Sequence, residues 1–145
     1  MMTTAQQSFA TRLGFAGLLP FLLLACAALL DIYGRIAVTW FIYYSAIIIS
    51  FIAGIQWGLV MQSDAADNNR RLGWCMVPPV IAWALVAAGE WWSYVAVTAG
   101  LALLHLFWLN YERRHYQAHP WYLELRSKLT FTVVALHVII AVTKI

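Results

Sequence analysis

The sequence predicts an all-α integral membrane protein, a bundle of five transmembrane helices with its N-terminus in the cytoplasm and its C-terminus outside. Three observations carry this. Of the 145 residues, 63% are hydrophobic and 10% charged, whereas an ordinary soluble domain is about 45–50% apolar and about 25% charged. The apolar residues gather into five runs, each near the roughly 20 residues a helix needs to cross hydrocarbon. Lys and Arg divide unevenly between the connections: Arg12, Arg70, Arg71, Arg113, Arg114, Arg126 and Lys128 fall on one side of a five-span arrangement, and Arg35 and Lys144 on the other. Cytoplasmic loops retain positive charge, so the first set lies inside.

The first span is expected over about 13–31. It contains Leu23-Leu24-Ala25-Cys26, similar to a cleavage box, but its apolar run continues through Leu30, past the point where a cleaved signal ends. It therefore reads as an uncleaved helix, and the lack of an Arg-rich, Ser-rich presequence favours a bacterial inner membrane. A hairpin at Tyr33-Gly34-Arg35 leads to a second span over about 37–61. A polar loop from Gln62 to Arg71 precedes the third, about 72–89, and Glu90-Trp91-Trp92 marks a turn into the fourth, about 93–111. The longest polar segment, Glu112 to Ser127, precedes a fifth span over about 128–144. All form a single transmembrane domain over 1–145. Cys26 and Cys75 would differ in depth by roughly 14 Å at 1.5 Å per residue, too far for a bridge. Trp40, Tyr43, Trp91, Trp92 and Tyr94 form one aromatic belt; Trp57, Trp74, Trp108, Tyr111, Trp121 and Tyr122 form the other.

Ala46, Ser50, Gly54 and Gly58 recur every four residues in the second span, a stripe of small side chains that allows close helix approach. It reads as an internal packing face, with a homodimer seam as the alternative. Pro20, Pro78 and Pro79 interrupt the first and third spans and are expected to kink them, freeing carbonyls near the depths of Gln56 and His105. That coincidence points to a cavity in the cytoplasmic half.

His105 and His137 are the histidines within spans, and intramembrane ionisable groups are functional candidates. Thr98, His105 and Glu112 repeat by sevens on the fourth span, as Thr130 and His137 do on the fifth. If those faces meet, the imidazoles could hydrogen-bond, relay a proton or ligate a haem across a gap the size of its macrocycle. Packing histidines are the plainer reading. Gln56, with Trp57 beside it, could meet a head group or a quinone carbonyl, or simply reach the interface or a neighbouring backbone. His115 and His119 show no metal-ligand spacing, and no phosphate loop, nucleophile elbow or dinucleotide fingerprint occurs. No catalytic residue or metal site is assigned, and the cofactor is left unassigned.

Three segments, LGFAGLLPF from Leu13, YSAIIISFIAGIQWG from Tyr44 and PWYLELRSKLT from Pro120, resemble the small membrane proteins catalogued as domain of unknown function 3429, the transmembrane protein 69-like family. The resemblance spans almost the whole chain and implies a compact helical membrane protein, without an established activity. A histidine often stands in that pattern where this chain has Gln56, which argues against an obligatory metal ligand or proton carrier there. The positions it shares with the pattern, Pro20, Ser50, Gly54, Trp57, Trp121, Tyr122 and Arg126, lie mainly in the cytoplasmic half.

Together these readings favour a non-enzymatic module that binds a lipid-soluble ligand or a partner membrane protein through its cytoplasmic half. The candidate ligand-binding residues are Pro20, Gln56, Trp57, Pro78, Pro79, His105, His137, Trp121, Tyr122 and Arg126. A redox or proton-handling protein using His105 and His137 is the alternative, and a small channel or carrier a further one, although the spans hold few ionisable groups. Membrane lipids are the expected partners, with a second membrane protein or a homo-oligomer possible. The scattered basic residues exclude a nucleic-acid surface.

Overall fold

The computed structural model describes residues 2–115 and 119–144, and every regular element within them is an α-helix. In chain order these are α1 (Thr4–Ala16), α2 (Leu19–Leu29), α3 (Gly34–Met61), α4 (Asn68–Cys75), α5 (Val77–Ala88), α6 (Tyr94–His115) and α7 (Pro120–Thr143). They make up five stretches long and apolar enough to cross a membrane: Thr4–Leu29, Gly34–Met61, Asn68–Ala88, Tyr94–His115 and Pro120–Thr143.

Local chemistry explains where these stretches depart from the sequence reading. The first begins earlier than Leu13 because Thr3 and Gln6 form a reciprocal capping box, Thr3 N–H donating to Gln6 Oε1 at 2.8 Å and Gln6 N–H to Thr3 Oγ1 at 3.3 Å. It then breaks at Gly17-Leu18. Pro20 sits in the first turn of α2, where a missing N–H removes no helical bond. Pro78 and Pro79 occupy the same position in α5, after a break at Met76. The expected kinks are therefore helix breaks, and at the first of them the Gly17 carbonyl accepts from the Tyr44 hydroxyl at 2.8 Å. The fifth stretch starts at Pro120 rather than Lys128, again with proline in the first turn. Glu112, expected to open a polar loop, is helical within α6. Residues 116–118 of that expected loop lie outside the described residues.

Helix α3 is the hub: it packs against α2, α4, α5 and α6, while α7 closes the bundle against α6 and α2. Helix α1 has no buried residue and rests mainly on α7. Phe21, Phe41, Ile49, Leu101, Trp108 and Ile140 fill the centre. The outer surface is apolar too, with Leu23, Phe51, Trp83, Leu103 and Val142 each more than 60% exposed. The buried polar side chains Ser45, Gln56, Thr98, His105, Glu112, Arg126, Thr130 and His137 all belong to α3, α6 and α7. Apolar outside with polar groups gathered inside is the arrangement a hydrocarbon solvent selects.

Two packing expectations are corrected. Around Gly54 and Gly58 a Cβ would meet nothing within 4 Å, so the C-terminal half of the small-residue stripe makes no close helix approach among the described residues. Close approach occurs at Gly100 of α6, where a Cβ would fall 2.8 Å from Cδ2 of Leu85 on α5. Trp108 is not a belt residue: it is fully buried and stacks on Tyr111 with ring centroids 4.9 Å apart. At the other end of the bundle, the α2–α3 turn holds Asp31 and Tyr33 at φ 56° and 58°. Lys144 Nζ, at the end of α7, reaches Asp31 Oδ1 at 3.6 Å.

Candidate functional site

The site arises where three helical stripes converge. On α3 these are Ser45, Ile49, Ile52 and Gln56; on α6, Thr98, Leu101, His105, Trp108 and Glu112; on α7, Arg126, Thr130, Val133 and His137. Steps of three and four residues keep each stripe on one face, and all these side chains are buried.

Two polar clusters form along the seam. In the first, Gln56 Nε2 donates to Glu112 Oε1 at 2.9 Å, while Arg126 Nε and Nη2 both reach Glu112 Oε2 at 3.0 Å. Arg126 Nη1 also donates to Thr130 Oγ1 at 3.0 Å. The Arg126 and Glu112 side chains are 5% and 0% exposed, so this is an ion pair removed from solvent. Its charges cancel, and Gln56 and Thr130 each add a hydrogen bond to it, which favours tolerance of such a pair.

In the second cluster Ser45 Oγ lies 3.1 Å from His105 Nε2 and 2.8 Å from His137 Nε2. His137 Nδ1 lies 2.7 Å from the Val133 carbonyl, and a carbonyl only accepts, so Nδ1 carries the proton. No carboxylate pairs with either ring, and burying an unpaired charge is costly, so both imidazoles are neutral. Nε2 of His137 is then an acceptor and takes the Ser45 hydroxyl proton. Ser45 Oγ in turn accepts from Nε2–H of His105, which leaves Nδ1 of His105 as a bare lone pair. The ring centroids stand 5.6 Å apart. With Ser45 Oγ bonded to both Nε2 atoms, an axial haem geometry between the rings would require displacing α3.

Beside these clusters lies a cavity of about 350 Å³. It is bounded by α1, α2, α3 and α7, with His105 of α6 in its wall. Leu13, Leu18, Phe21, Phe51, Ile52 and Leu129 contribute apolar surface; Tyr122, Arg126, Thr130 and His105 supply the polar side chains. Leu13 of α1 and Phe51 of α3, 57% and 64% exposed, carry its lining out to the apolar outer surface.

Of the residues singled out from sequence, His105, Trp121, Tyr122 and Arg126 line the cavity. Gln56 reaches it indirectly through Glu112 and Arg126, and His137 through Ser45 and His105. Gln56 does not extend to the interface, being fully buried. Pro20, Pro78 and Pro79 begin helices, and Trp57 is 38% exposed; none of them lines the cavity. Glu112 and Thr130 stand out in the sequence by spacing alone, and Ser45 does not stand out. Ser45 stands eleven residues before Gln56, three helical turns, and that shared face was the available signal.

The arrangement defines an all-helical bundle with five membrane-length apolar stretches and a laterally placed cavity. The family described as "Protein of unknown function (DUF3429)" matches residues 6–142, and the chain belongs to that family. No curated protein matches. No solved structure matches either.

Proposed function

We propose that this chain is a multi-pass membrane module that binds a lipid-soluble ligand, seated with its N-terminus in the cytoplasm of a bacterial inner membrane. The observation that supports this best is the cavity itself. Its volume of about 350 Å³ falls within the range of small-molecule sites, roughly 300–1,000 Å³. Like those sites it combines apolar walls with a few convergent polar groups. A mouth between Leu13 and Phe51 lets an apolar tail continue into the bilayer.

Native mass spectrometry from mild detergent tests this. The unsubstituted protein is expected to carry a co-purified lipid-soluble molecule. Ile55→Trp, which fills the cavity, is expected to lose it, whereas Ile47→Trp on the exposed face of α3 retains it. Retention by Ile55→Trp, or no bound molecule in any form, would overturn the reading.

A second reading, proton handling, draws support from the Ser45 bridge, since a proton arriving at His105 Nδ1 can pass through Ser45 to His137. Proton uptake into liposomes, followed with an entrapped pH dye, is then expected to fall in Ser45→Ala. An unchanged rate removes this reading.

A further inference from the structure

The ligand's head group can be specified more closely from the hydrogen bonds around the cavity, an inference that rests on the binding reading above. The wall is electrically neutral: Arg126 is paired with Glu112, and His105 is uncharged with its proton on Nε2. No free positive charge is available to hold a carboxylate or phosphate. Three cavity-lining side chains keep an unmet hydrogen-bonding function: His105 and Thr130, each 1% exposed, and Tyr122, whose buried hydroxyl has no hydrogen-bond partner among the described residues. Nδ1 of His105 is an acceptor with no partner among the described residues. Thr130 Oγ1 already accepts from Arg126, which leaves its hydroxyl proton to be donated.

An acceptor on His105 that needs a donor from the ligand, beside hydroxyl donors on Thr130 and Tyr122 in a neutral, apolar surround, is the complement of a hydroxyl group. Its O–H donates to His105 Nδ1 and its oxygen accepts from Thr130. We infer that the cavity binds a neutral, hydroxyl-bearing lipid, an aliphatic alcohol or a hydroquinone, in preference to a fatty acid anion, an ether or a quinone. A carboxylate and a quinone carbonyl offer acceptors only, so each would place a lone pair against the lone pair of Nδ1. A buried acceptor left facing another acceptor is costly, whereas one made hydrogen bond corresponds to about tenfold in affinity.

The test uses the full-length protein in amphipol with chains matched in length: dodecan-1-ol, dodecyl methyl ether and dodecanoate, alongside decylhydroquinone and decylquinone. Affinities are read by intrinsic tryptophan fluorescence. The expected result is that dodecan-1-ol binds about tenfold more tightly than the ether and the carboxylate, or decylhydroquinone about tenfold more tightly than the quinone; whichever hydroxyl compound binds best identifies the source. His105→Leu has no acceptor in place of Nδ1 and is expected to lose the preference. If that variant fails to fold, the ranking on the unsubstituted protein decides alone. Equal binding of all heads, or tightest binding of dodecanoate or decylquinone, overturns the head-group inference while leaving lipid binding intact. Binding of none overturns both.

Discussion

Arg126 is where charge, burial and helix register meet. Its guanidinium spans from Glu112 on α6 to Thr130 one turn along its own helix, and a lysine ammonium offers no planar fork to do both. Removing one partner of a buried pair costs about 3–5 kcal/mol, because the other charge is left without compensation. Arg126→Lys is therefore expected to lower the melting temperature in detergent by several degrees, and Glu112→Leu by more, while Arg114→Lys on the exposed side of α6 leaves it unchanged. Differential scanning fluorimetry of the three variants checks this ordering. The sequence motif marks Arg126 as a residue of interest, yet its place in the polar segment before the fifth span makes it resemble a loop charge. Its partner was not legible, because the spacing of Glu112 by sevens from His105 gives a face of α6 but not the register of that face against α7. Ser45 was hidden for a related reason: serine is common in membrane helices, and its role depends on two rings from other helices converging on it.

Among the elements, helix number and type followed directly from hydropathy, whereas boundaries and close contacts followed from local chemistry. Pro20, Pro78 and Pro120 each start a helix, and position within the helix decides between a start and a kink. The glycine stripe on α3 illustrates the limit of a periodic pattern: the spacing permits close approach, but a neighbour must be present to use it. Gly100 has that neighbour in Leu85, and Gly54 has none within 4 Å. Gly100→Leu is accordingly expected to weaken α5–α6 packing and lower thermal stability by about 1–3 kcal/mol, the range for overpacking. Gly54→Leu is expected to leave the monomer's melting unchanged. Comparable losses in both variants would remove this account.

At the scale of the molecule, the polar network faces inward and the remaining basic side chains face outward. With Arg126 committed to Glu112, Arg12, Arg70, Arg71, Arg113, Arg114 and Lys128 still stand against Arg35 and Lys144, so the asymmetry behind the proposed orientation survives the loss of one charge. A reporter active in the cytoplasm is expected to work when inserted at Asp64 or His119, and a periplasmic one at Ile32 or Trp92. The reverse pattern would invert the topology. The contact between Lys144 and Asp31 agrees with five crossings, since it joins the end of α7 to the α2–α3 turn.

The break at Gly17-Leu18 has a consequence for the rate at which a bound molecule leaves. Helix α1 forms one side of the cavity mouth, is separated from α2 by that break, and buries no residue. An element held by so little buried surface opens at a small fraction of the cost of global unfolding. Its amides are expected to exchange with deuterium well before those of α3, and a saturating occupant should slow that exchange selectively. Residence time would then be governed by the excursions of a single N-terminal helix, so that tethering α1 to α7 prolongs occupancy without altering any group that touches the ligand's head.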